Sequence, residues 1–136
     1  ISLGLVGSEM CIRDRPYAPG AHPRTAGTFS RILGKYVREE KILDLVTALK
    51  KMTIMPAKRL EKIAPSMTRK GRLQIGADAD ITIFNPNTII DKADFSGLKY
   101  SKGVETVIID GKIIVKEGRI VENVFPGKPI LSKYKK

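Results

Sequence analysis

The sequence predicts an α+β chain, helical in its first half and strand-rich in its second. Two observations carry this reading. Ile42, Leu45, Val46, Leu49 and Met52 recur at helical spacing. Past Gly71 the apolar residues gather instead into short runs of isoleucine and valine. Two of those runs flank Asp110-Gly111, the strongest short-range signal for a hairpin.

Taken in order, residues 16 to 27 read as a loop, because prolines and glycines crowd it. Thr28 is the expected N-cap of a first helix, whose apolar face is Phe29, Ile32, Leu33, Tyr36 and Val37. Gly34 weakens that helix by roughly 1 kcal/mol relative to alanine. The polar run Arg38-Glu39-Glu40-Lys41 ends it. A second helix is expected from Ile42 to Met52, with Ile42, Leu45, Val46 and Leu49 as its core stripe. Lys50 and Lys51 suit the negative end of its dipole. Pro56 stops that helix and suits the first turn of a short one running to about Ile63, which Pro65 ends. Beyond a boundary near residues 64 to 71, strands are expected at residues 81–84, 106–109, 112–116 and 119–121. Asp110-Gly111 and Glu117-Gly118 are the turns between the last three.

Composition bounds function. The chain of 136 residues carries a net charge of +11, yet acids are interleaved with the lysines and arginines. Only Lys133-Tyr134-Lys135-Lys136 is a basic cluster, so the charge reads as a solvated surface. A small basic nucleic-acid-binding protein is the alternative from another class. It lacks interleaved aromatics, which make up 6% of residues. No nucleic-acid partner is expected on these grounds, and no membrane partner, since no apolar run approaches the ~20 residues of a membrane helix. Cys11 is the single cysteine and His22 the single histidine, which excludes an internal disulfide and an ordinary zinc centre built by this chain alone.

The first fifteen residues stand apart. They lack the positive n-region of a signal peptide. Leu5-Val6-Gly7-Ser8-Glu9-Met10-Cys11-Ile12-Arg13-Asp14-Arg15 resembles, codon by codon, one reading frame of a transposase-type sequencing adapter. Residues 1–15 are therefore expected to be foreign to the protein, whose own sequence would begin near Pro16 and lack an N-terminal part.

Three stretches carry a family resemblance. They are His22-Pro-Arg-Thr-Ala-Gly-Thr-Phe-Ser-Arg-Ile-Leu-Gly-Lys-Tyr-Val-Arg-Glu-Glu40, Lys51-Met-Thr-Ile-Met-Pro-Ala-Lys-Arg-Leu60, and Gly71-Arg-Leu-Gln-Ile-Gly-Ala-Asp-Ala-Asp-Ile-Thr-Ile-Phe-Asn-Pro86 with Val107-Ile-Ile-Asp-Gly-Lys112. Their order resembles the C-terminal end of a metal-dependent amidohydrolase, of the D-aminoacylase (N-acyl-D-amino-acid deacylase) group. The first stretch is the more specific to that group. The third is shared with hydantoinase-like and dihydroorotase-like cyclic amidohydrolases, which are the alternative within enzymes.

The resemblance implies residues 16–64 as the closing helices of a (β/α)8 barrel and residues 65–136 as the C-terminal part of a small β-sandwich. It implies a cytoplasmic enzyme that cleaves the amide of small N-acyl-D-amino acids. In this family zinc activates the attacking water, and an aspartate after the eighth barrel strand shuttles the proton. The zinc belongs to the full-length parent. Its ligands would lie upstream, in the missing N-terminal part, so this chain alone is expected to bind none and to be inactive. Asp14 sits near the place of that aspartate, but the adapter encodes it, and the catalytic role is not carried onto it.

Two residues remain as substrate-binding candidates. His22 either lines the substrate pocket or orients the lost aspartate, or else caps its loop through a backbone carbonyl. Arg24 either binds a substrate carboxylate bidentately or forms a structural ion pair. Gly27 and Thr28 read as turn and cap. Asp78 and Asp80, two apart at a strand start with no histidine beside them, read as structural carboxylates rather than a catalytic pair.

Overall fold

The computed structural model describes residues 23–95 and 99–134. They are mixed helix and sheet, as the periodicities predict. They divide into two compact units, one of residues 49–83 and 105–134, the other of residues 23–48 and 84–104, apart from the undescribed 96–98.

In the second unit, helix α1 (Arg24–Arg31) starts earlier than expected. Pro23 occupies the N-cap position, and its carbonyl accepts from the Gly27 N–H at 3.0 Å. Thr28 is no cap: it lies inside the helix, where its hydroxyl donates to the Arg24 carbonyl at 2.6 Å. The helix runs directly into a π-helical segment, Ile32–Glu39. There the Glu40 N–H reaches the Lys35 carbonyl at 2.8 Å, five residues back. Lys41, at φ 52°, stops it.

Helix α2 (Leu45–Met52) begins three residues later than its apolar spacing suggests. Asp44 is the reason: its carboxylate accepts from the Thr47 N–H at 2.9 Å, and its carbonyl from the Ala48 N–H at 3.0 Å. Ile42 is left outside the helix and 67% exposed, and Val46 is 58% exposed. The expected core stripe is thereby corrected: the buried residues of α2 are Ala48 and Met52. Ala48 closes the second unit and Leu49 opens the first.

In the first unit, α3 (Ile54–Leu60) carries Pro56 in its first turn, where a missing N–H costs nothing. A 3-10 turn, Pro65–Arg69, follows. Ala57, Ala64 and Met67 form a small core with Leu60 packed on it. Strands β1 (Ile81–Phe84), β2 (Val104–Ile109), β3 (Lys112–Lys116) and β4 (Arg119–Ile120) form one sheet in that order. β2 with β3 and β3 with β4 are antiparallel, with Ile109 opposite Lys112 and Val115 opposite Ile120. Asp110 and Gly111 have φ of 49° and 76°, the two left-handed residues of a type I′ turn. No helix among the described residues is long and apolar enough to cross a membrane.

Candidate functional site

His22, Asp14 and the loop up to residue 22 lie outside the described residues. Arg24 is described: it opens α1 and is exposed. α1 carries no acid in its first turn. A guanidinium there faces the positive end of the helix dipole, which disfavours the helix by itself and favours any anion that binds beside it.

The rest of α1 is held by the chain between β1 and β2. Gly27, Arg31, Gly34 and Arg38 recur at i, i+4, i+7 and i+11, one face of a helix. Each meets residues 86–91. A β-carbon on Gly27 would stand 2.8 Å from the Asp91 Cβ and 3.0 Å from its Oδ2. One on Gly34 would strike the Ile89 carbonyl oxygen and lie 2.7 Å from Ile90 Cδ1. Arg31 Nη1 pairs with Asp91 Oδ2 at 3.3 Å. Arg38 Nη1 donates to the Ile89 carbonyl at 2.6 Å and reaches the Pro86 carbonyl at 3.3 Å. The glycines thus let two backbones approach, and the arginines satisfy the polar groups this covers. Ile89, 2% exposed, is the buried apolar residue of that segment. Its own fold is closed by an antiparallel bridge, Ile90 to Lys102.

Sequence reasoning took Gly27 for a turn residue and Gly34 for a weak point. The spacing of two glycines and two arginines on one helical face was the signal for this seat.

Asp78 and Asp80 are structural, as read. Lys70 Nζ bonds both carboxylates, at 2.9 Å from Asp78 Oδ2 and closer still to Asp80. Arg69 adds a 3.3 Å contact to Asp78. The other Asp80 oxygen accepts from the Asp110 N–H at 2.8 Å, so it also braces the hairpin turn. Burial works against the Lys70 ammonium, but hydrogen bonds to Asp80 and Asp78 and their charge outweigh it, and its pKa is raised.

Among the described residues no group of three His, Cys, Asp or Glu side chains could hold a metal ion. The donor set they offer does not fit a zinc centre.

The chain belongs to the Amidohydrolase family, whose model matches residues 15–115. It is 40% identical over 108 residues to the N-acyl-D-glutamate deacylase of Alcaligenes xylosoxydans xylosoxydans, covering 79% of this chain and 20% of that protein. To the D-aminoacylase of the same organism it is 35% identical, covering 83% of this chain and 22% of the relative. Among solved structures it resembles the N-acyl-D-glutamate deacylase of Bordetella bronchiseptica, complexed with zinc and a phosphonate mimic of the tetrahedral intermediate. The TM-score is 0.64 and the identity 34%, over 74% of this chain and 21% of that one. The chain therefore spans about a fifth of the length of the relatives it matches.

Proposed function

We propose that this chain is part of a longer zinc-dependent amidohydrolase that hydrolyses the amide bond of N-acyl-D-amino acids. The observation that carries the reading is the 40% identity to an N-acyl-D-glutamate deacylase. In this reading residues 16–64 close a (β/α)8 barrel and residues 65–136 supply the C-terminal share of a β-sandwich. Residues 1–15 are foreign in this reading.

The chain's own contribution is binding. Arg24, exposed at the positive end of α1, receives the carboxylate of the substrate in a bidentate pair, and His22 lines the same site. The zinc is held by residues of the parent outside those described, and this chain alone neither binds it nor turns over substrate. The test is the product of the uninterrupted gene, loaded with zinc and offered N-acyl-D-amino acids beside hydantoins and dihydropyrimidines. Hydrolysis of the N-acyl-D-amino acids is expected. Turnover of the cyclic amides alone, or of neither class, overturns the reading.

A further inference from the structure

The seat of α1 on Asp91 has a consequence for the substrate site. Asp91 is reached from two directions: the Gly27 backbone lies against its Cβ and Oδ2, and Arg31 Nη1 pairs with the same Oδ2 at 3.3 Å. Its side chain is 9% exposed, while that of Arg31 is 47% exposed. The carboxylate is therefore covered by the helix it anchors. Gly27 is three residues beyond Arg24, and Thr28, the next residue, bonds the Arg24 carbonyl at 2.6 Å. One helical turn thus joins Arg24 to the Asp91 contact, with no flexible segment between them.

We infer that Asp91 and Arg31 are positioning residues for the substrate site: the close seat of Gly27 on Asp91, locked by the Arg31–Asp91 ion pair, fixes the turn that carries Arg24. The inference rests on the reading of Arg24 as the ligand of the substrate carboxylate. Asp91 touches no substrate. It acts by holding a helix end still, so that an arginine of high rotameric freedom meets its partner with less ordering to do. Glycine is required at position 27 because a methyl group there would enter the space of Asp91, and the added bulk would lever the first turn away.

The experiment uses the full-length enzyme from the uninterrupted gene. Asp91→Asn keeps the shape and removes the charge. Gly27→Ala keeps the charge and removes the close seat. Arg31→Lys keeps the pair with a shorter reach. Two quantities are read: kcat and KM for an N-acyl-D-amino acid and for its carboxamide, and amide hydrogen exchange at residues 24–28. With the carboxylate substrate, Asp91→Asn and Gly27→Ala are expected to raise KM about tenfold with kcat within about twofold, as for loss of uniform binding. With the carboxamide, KM stays near the wild-type value, because the interaction being positioned is absent. Arg31→Lys retains most of the wild-type affinity. Exchange at residues 24–28 speeds up in Asp91→Asn while that of α3 does not. A folded Asp91→Asn enzyme with unchanged KM overturns the inference, and so does an equal KM rise for both substrates, which a merely structural role would give. If the wild-type enzyme hydrolyses no N-acyl-D-amino acid, the functional reading fails separately. The positioning claim is then decided by exchange alone, and unchanged exchange at residues 24–28 overturns it.

Discussion

Arg31 and Asp91 meet at 3.3 Å although 60 positions of sequence separate them. The pair joins a helix to the connection between two strands. The guanidinium is held protonated above its ordinary range, chiefly by the charge of Asp91 and further by a hydrogen bond to Tyr36. With the Arg31 side chain 47% exposed, the pair stabilises little by itself. Its weight lies in its place beside two glycines that let the backbones touch.

Gly34→Ala tests that close approach. On helix propensity alone alanine would stabilise by about 1 kcal/mol. In this seat its methyl group meets the Ile89 carbonyl and Ile90 Cδ1. Overpacking costs about 1–3 kcal/mol, so the expected outcome is a lower unfolding midpoint in urea. An unchanged or raised midpoint would show that the seat yields without cost.

The same seat shows what was legible in the sequence. β3 was read with its observed bounds, and β1 likewise, because turn and strand signals there are local: left-handed residues at Asp110-Gly111, flanked by apolar runs. The start of α1 was not, because the need for glycine at position 27 is set by Asp91, far along the chain. Ile42 fits the helical period but lies before the cap that Asp44 makes, and periodicity cannot see a side chain accepting from the Thr47 N–H. Arg24 was read as a site candidate from its motif. The residues that hold its helix were not, since residues 86–91 carry no periodic pattern of their own.

Asp44 gives a prediction with pH. The hydrogen bonds from Thr47 hold its carboxylate below the ordinary range. A folded-state pKa that is depressed contributes stability that is present above the unfolded value and lost as pH falls through the folded one. Asp44→Asn keeps a good cap and removes the titration. Its unfolding temperature should match wild type near neutrality and fall less steeply than wild type below about pH 4, the ordinary carboxylate range. Parallel curves for the two proteins would exclude the cap as the source.

Lys70 has the opposite sign. Its pKa is raised in the folded state, because the bonds to Asp80 and Asp78 outweigh burial. The stability it contributes is complete below the ordinary lysine range and lost as pH rises through the folded value. Lys70→Met leaves two carboxylates, 17% and 11% exposed, with their principal cation gone. The expected loss at neutral pH is about 1–2 kcal/mol, below that of a fully buried pair because water still reaches these groups. Lys128→Ala, which removes an exposed partner of Asp110 at 2.5 Å, should leave the unfolding midpoint unchanged. Equal effects of the two variants would refute this ordering.

Arg24 itself separates binding from chemistry. As the ligand of the substrate carboxylate it would contact a group remote from the scissile amide, equally in the ground state and the transition state. Arg24→Ala in the full-length enzyme should then raise KM for an N-acyl-D-amino acid by about 10- to 100-fold and leave kcat nearly unchanged. Arg24→Lys should recover only part, because a point charge cannot replace a planar bidentate fork. A structural ion pair gives a different pattern: a lowered unfolding temperature with KM intact. A fall in kcat at constant KM would move Arg24 from the substrate's carboxylate to its reacting carbonyl. Because α1 begins at Arg24 with no acid in its first turn, the substrate's carboxylate would also stabilise the helix start. Saturating N-acyl-D-amino acid should therefore slow amide exchange at residues 24–28 in wild type and leave it unaltered in Arg24→Ala.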